Sequence, residues 1–195
     1  MKKTASLFFF VCLALISQGC ASKYMKPAGP DAIYSPGTNE SLIIFMRPSS
    51  VGGAVQSSVF DVTAPENILV GIVSSKTKVA YKVAAGERLF MVVGESADFM
   101  RAEPEPGKTY YALVTPRIGF WKARFSLKPV HQKELSSEDF KSWDNSCSFV
   151  ENTDASYQWA KDNAASVQTK RDEYYKKWVS KPEEDRPVLR KEDGI

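Results

Sequence analysis

From Ser41 to about Val130 the chain is written in short apolar runs, interrupted every eight to twelve residues by turn residues. That rhythm suits closely packed strands and few other structures. Leu42 to Met46 is continuously apolar and is stopped by Arg47 and Pro48; Gly52-Gly53 is a tight turn into Val55 to Val62, and Pro65-Glu66-Asn67 breaks the chain before Ile68 to Val73. Thr77 to Ala84 alternates, with Val79, Tyr81 and Val83 on one face and Lys78 and Lys82 on the other, as a half-solvated strand requires. Ala85-Gly86-Glu87 turns the chain into Leu89 to Val93, apolar throughout and so expected to be central; Phe99 to Ala102 is a weaker strand. After the turn Pro104-Glu105-Pro106-Gly107 come Thr109 to Thr115 and Gly119 to Leu127. The expected fold is mainly β with C-terminal α: an antiparallel β-sandwich of seven to eight strands over residues 41–130.

Upstream, Lys2 and Lys3 precede an uncharged run from Leu7 to Ile16, far short of the about 20 residues a spanning helix needs. Leu13-Ala14-Leu15-Ile16-Ser17-Gln18-Gly19-Cys20 resembles the processing box of a bacterial lipoprotein signal peptide. The resemblance implies that residues 1–19 are removed and that Cys20 becomes a lipidated N-terminus with three acyl chains. One chain binds marginally at about 0.8 kcal/mol per buried methylene, whereas three hold a domain at a bilayer essentially permanently. An ordinary signal peptide cut nearby is the alternative. Ala21 and Ser22 follow Cys20, and neither is the aspartate that retains lipoproteins at the inner membrane of diderm bacteria. The expected location is therefore the bacterial cell envelope, on the outer membrane facing the periplasm. Residues 20–40, with Pro27, Gly29, Pro30, Pro36 and Gly37, are expected to form a flexible tether, spanning about 25 Å root mean square.

Downstream, Ser136-Ser137-Glu138-Asp139 starts a short helix over Phe140 and Trp143. A long amphipathic helix is expected from Asn152-Thr153-Asp154 to Val179, ended by Lys181-Pro182. Tyr157, Ala160, Ala164, Val167, Arg171, Tyr174 and Trp178 alternate by three and four along one face. Residues 131–180 thus form a helical extension, and the charged residues 181–195 are expected to fray.

Val83-Ala84-Ala85-Gly86-Glu87-Arg88-Leu89-Phe90, followed by Glu105-Pro106-Gly107-Lys108-Thr109-Tyr110-Tyr111, resembles a family of bacterial envelope lipoproteins that share one β-sandwich domain without an assigned activity. The similarity covers roughly residues 41–130. It brings no catalytic residue with it.

Chemistry-bearing constellations are sparse. Of three cysteines, Cys12 falls in the signal and Cys20 in the anchor, so Cys147 has no intramolecular disulfide partner. One histidine, His131, and one cysteine do not make a zinc cluster, and no metal or cofactor is expected. Gly94-Glu95-Ser96-Ala97-Asp98 lacks the second glycine of a nucleophile elbow, and Glu103 and Glu105 read as exposed turn acids. Without Lys2 and Lys3 the charge falls from 26 basic against 23 acidic residues to 24 against 23, which offers nucleic acid no strong attraction.

Two surfaces stand out. In the patch Arg117, Phe120, Lys122 and Arg124, the last three share one strand face and put basic groups beside an aromatic, suited to anionic lipid or glycan; ordinary solvation of that face is the alternative. The long helix suits packing on its own domain, a protein partner or self-association. The expected function is a membrane-anchored, non-enzymatic structural or interaction module. A binder of anionic glycan or lipid through the sheet face is second, and a hydrolase third.

Overall fold

The computed structural model describes residues 23–53, 55–117 and 124–195. Residues 1–19 and Cys20 lie outside them. In chain order the strands are β1 (Met25–Pro27), β2 (Glu40–Arg47), β3 (Ser57–Asp61), β4 (Ile68–Val73), β5 (Thr77–Ala84), β6 (Arg88–Val93), β7 (Ala97–Ala102), β8 (Thr109–Arg117), β9 (Arg124–Pro129), β10 (Ser148–Asn152) and β11 (Val188–Leu189). The helices are α1 (Glu138–Ser146), α2 (Asp154–Asp162) and α3 (Ala164–Val179). One sheet runs β1-β10-β5-β2-β8-β9 and the other β11-β7-β6-β3-β4; neither closes into a barrel.

The fold is mainly β with C-terminal helices, and the strands β2 to β8 fall where the hydropathy rhythm places them; β9 covers the end of the expected run Gly119 to Leu127, whose residues 119–123 lie outside the described residues. Pairing differs from the antiparallel expectation. β2 runs parallel to β8, β10 to β5 and β11 to β7. The chain leaves the first sheet after β2 for β3 and β4, returns for β5, leaves again for β6 and β7, and comes back as β8 beside β2. These crossings set strand direction, and hydropathy carries no record of them. The further strands β1, β10 and β11 come from segments expected to be tether, helical extension and tail.

Side-chain alternation explains the layers. Ile43 and Phe45 of β2, Tyr110, Ala112 and Val114 of β8, and Val79 and Val83 of β5 face the second sheet, where they meet Val59, Phe90 and Val92. Phe45 and Phe90 pack edge to face, 5.1 Å between ring centroids. The alternate residues Leu42, Ile44, Met46 and Leu113 point the other way and form a second apolar layer with Phe140, Trp143, Phe149 and Tyr34. On the outer face of the second sheet, Trp178 of α3 packs against Phe99, 6.0 Å between centroids, and Trp159 of α2 lies 6.5 Å from Phe60. Each fully buried large apolar side chain contributes about 1.5–3 kcal/mol.

Covering both faces changes β5. Lys78 and Lys82 do share the face opposite Val79, but that face is not open at Lys78, whose Nζ is buried beneath α1 in an ion pair with Asp144. Nζ also donates to Asp144 O and lies 4.5 Å from the Phe149 ring.

Helix starts follow the capping residues. Ser137 Oγ accepts from Phe140 N at 3.1 Å, and Thr153 and Ser156 cap α2 reciprocally. The single long helix expected from Asn152 to Val179 is two helices. Asn163, at φ −101° and ψ 5°, leaves helical geometry, and its Nδ2 donates to Trp159 O at 2.8 Å. An amide side chain that competes for backbone carbonyls ends α2 and redirects α3.

Residues 23–40 and 181–195 are tied to the sheets, contrary to the free tether and frayed tail; residues 20–22 of the expected tether lie outside the described residues. β1 pairs antiparallel with β10, Tyr34 stacks on Phe149 at 4.3 Å, and its hydroxyl donates to Glu151 at 2.9 Å. At the other end β11 joins β7, Asp193 is buried, and the backbones of Ile195 and Thr109 exchange bonds of 2.7 and 3.0 Å. The tail therefore ties the second sheet to the first. A Cβ on Gly194 would lie 2.5 Å from the Tyr110 ring, so only glycine fits this crossing.

Trp178→Ala is expected to cost about 3–5 kcal/mol, seen as a lower urea midpoint at unchanged m-value; a loss below about 1 kcal/mol would place α3 outside the cooperative unit. Burial, reinforced by the Asp61 carboxylate, pushes the Tyr81 phenol up to about 12, and burial together with Glu151 does the same for Tyr34. The folded state holds these protons more tightly than the unfolded chain. Their stabilisation is thus complete below about pH 10 and lost as pH rises toward about 12. Tyr81→Phe should remove one late step from the tyrosinate absorbance titration and flatten the decline of Tm in that window.

Candidate interaction surface

The β8–β9 hairpin sets Arg117 directly opposite Arg124. Like charges across an antiparallel pair repel, so this end needs a counter-charge. Asp98, the second residue of β7, supplies it. Its carboxylate, 9% exposed, lies 3.8 Å from Arg117 Nη2 and 3.4 Å from Lys181 Nζ, just beyond α3. One turn back, Lys177 bonds Glu173 at 2.6 Å; that bond raises the Lys177 pKa most, while the nearby Arg124 charge opposes the rise. Arg117, Arg124, Lys177 and Lys181 therefore share one end with Asp98 and Glu173. Arg117, Arg124 and Lys177 are solvent-exposed.

Of the basic patch expected from sequence, Arg117 and Arg124 are brought together here; Phe120 and Lys122 lie outside the described residues. Phe125 and Leu127, their strand neighbours of opposite parity, are buried, in keeping with the expected split of faces. Lys177 and Lys181 are the additions that sequence reasoning missed. Lys177 lies on the last turn of α3 and Lys181 just past its end, and nothing in the sequence links them to the hairpin.

The helix seam is only partly a seam. Val167 and Trp178 are buried, and Ala160 and Tyr174 pack at the core margin, whereas Tyr157 is half exposed and Ala164 is exposed. Arg171 reaches the β3–β4 loop and donates to Val62 O, Ala64 O, Pro65 O and Asn67 Oδ1 at 2.8–3.0 Å. One planar guanidinium thus gathers four acceptors of a turn, which a lysine's single nitrogen does not reproduce. Beside it Pro65, Gln168, Asp172, Tyr175 and Lys176 line an open cleft of about 570 Å³.

His131, two residues beyond β9, meets the C-terminal segment. Its Nδ1 lies 3.0 and 3.1 Å from the Asp193 carboxylate oxygens. A carboxylate only accepts, so Nδ1 carries the proton and Nε2 is the basic nitrogen of the neutral ring. Asp193 also accepts from Gln132 N and Arg190 N, which fixes it in place. His131 borders a groove of about 750 Å³ whose arginines and lysine (Arg101, Lys128, Arg186, Arg190) are balanced by Glu103, Glu183, Glu184 and Glu192. Ser96 is buried in the β6–β7 turn, and Glu105 is bonded to Lys108 at 2.7 Å, a contact that lowers its pKa. Among the described residues no cluster of three His, Cys, Asp or Glu side chains could hold a metal ion, and no helix is long and apolar enough to cross a membrane.

No protein-family model matches the chain, and no curated protein matches it in sequence.

Arg171→Ala is expected to free the 62–67 loop, with faster amide exchange there and a loss of about 1.5–3 kcal/mol, the range for hydrogen bonds to a charged group. Arg171→Lys should recover only part of it. Unchanged exchange in Arg171→Ala would mean that the loop holds its shape without the clamp.

Proposed function

We propose that this protein is a membrane-anchored cell-envelope lipoprotein, held through Cys20, whose β-sandwich serves as a non-enzymatic interaction module. One observation carries the reading: the processing box ends at Cys20, and five residues on, Met25 is already buried and paired into a sheet. An anchor sequence immediately followed by a packed domain suits a protein that works at a membrane face. The outer membrane, facing the periplasm, is the location that Ala21 and Ser22 favour.

A second reading is favoured by the basic end. Arg117, Arg124, Lys177 and Lys181 suit sulfated, phosphorylated or carboxylated glycans, which meet spread positive charge without needing a deep cavity. The hydrolase reading rests on the His131–Asp193 pair, which has the orientation a general base requires. It would need a nucleophile; among the described residues no hydroxyl or thiol is hydrogen-bonded to that imidazole.

Cys20→Ser is expected to move the protein from the membrane fraction to the soluble fraction; a variant that still sediments wholly with membranes would refute anchoring through Cys20. For the second reading, Arg117→Glu with Arg124→Glu should weaken retention on anionic polysaccharide several-fold at low salt, and the difference should vanish as salt screens it. Retention equal to wild type removes the basic end as a binding surface.

A further inference from the structure

We propose that the β1 edge of the fold and the adjoining outward face of α2 rest against the lipid bilayer, with the β9 edge and its basic hairpin directed away from it. The inference depends on anchoring at Cys20 and adds an orientation to it.

Chain length carries the first step. Five residues lead from Cys20 to Met25, a reach of at most about 18 Å whatever their conformation. Met25 is not a loose end that lengthens this reach. It is 6% exposed, its Cε lies 3.4 Å from the position a Cβ would take on Gly71, and β1 is bonded to β10 along Met25, Lys26 and Pro27. Thr153 Oγ1 donates to Tyr24 O at 2.8 Å, fixing the entry point at the start of α2.

The second step is what surrounds that entry. Tyr24 lies 6.2 Å from Trp159, and Tyr157, one turn beyond Thr153, is 50% exposed. Lys23, Lys26 and Lys161 are exposed around them, and Lys26 offsets Glu151 at 3.5 Å. Tyrosine and tryptophan beside lysine suit the head-group region, where amphipathic rings lie between apolar and wet layers and long stems extend the charge outward. The third step is distance. β1 and β9 are opposite edges of a six-stranded sheet, five strand spacings apart, or about 24 Å. With β1 held at the surface, the hairpin is free to meet material in the aqueous compartment.

The test uses the full-length lipidated protein in vesicles of phosphatidylethanolamine and phosphatidylglycerol carrying a nitroxide head-group lipid. Single fluorophores are placed through Tyr157→Cys or Lys128→Cys, while Cys147, buried in the folded protein, stays unlabelled. Quenching is expected to be several-fold stronger at position 157 than at 128. Insertion of twenty Gly and Ser residues after Ser22 should abolish that difference while the protein remains bound. Equal quenching at both positions, or stronger quenching at 128, in a protein whose retention depends on Cys20 overturns the orientation and leaves the anchor standing. Retention that does not depend on Cys20, or no retention, overturns both.

Discussion

The unbroken apolar run of β2 is the constraint on which the rest depends. Leu42, Ile43, Ile44, Phe45 and Met46 are all buried, so their strand must be covered on both faces. A two-sheet stack covers one face of each sheet and leaves the other to water. Here the outer face of the first sheet is closed by α1 and by residues around Tyr34, and that of the second by α2 and α3. The helical extension and the N-terminal segment are therefore parts of the core and not appendages to it. Without them Ile44, Met46 and Phe99 would face solvent.

Polar groups taken inside by this layering are held by specific partners. Arg47 is fully buried and donates to Val51 O, Gly52 O and Val55 O while its guanidinium carbon lies 4.7 Å from the Phe125 ring centroid; burial lowers its pKa. Lys78 meets Asp144 beneath α1, and Arg171 gathers the β3–β4 loop. A buried cation is costly unless carbonyls or a carboxylate replace its water; the buried Arg47 and Lys78 find such groups, and the half-buried Arg171 finds them in its loop. In doing so each fixes the position of a segment that hydrophobic burial alone would leave free to slide.

The termini give the fold its polarity. β1 enters at one edge of the first sheet, and the basic hairpin leaves at the other. The C-terminal segment crosses from β7 to Thr109 and brings Asp193 to His131 on the way. The chain ends thus each lie at a sheet margin, β1 on the first sheet and β11 on the second. Such an arrangement suits the proposed orientation, with the β1 edge toward the membrane and the hairpin away from it.

Sequence alone determined the local features. The strands β2 to β9, their inward and outward parity, the Gly86 and Gly107 turns with φ of +109° and +76°, and the caps Ser137 and Thr153 all follow from nearest-neighbour chemistry: alternation, steric freedom and orphan amides. Half of the basic surface, Arg117 and Arg124, was legible for the same reason, since it lies on paired strands. Tertiary structure alone decided the rest. Parallel pairing depends on which sheet each crossing enters, and the break at Asn163 depends on one side chain competing with a helix. Recruitment of residues 23–40 and 181–195 depends on apolar faces that only exist once the sheets are stacked. The meetings of His131 with Asp193, and of Lys181 with Asp98, join residues 62 and 83 positions apart. Charge and hydropathy patterns report neighbours along the chain, and these contacts are created by the packing itself.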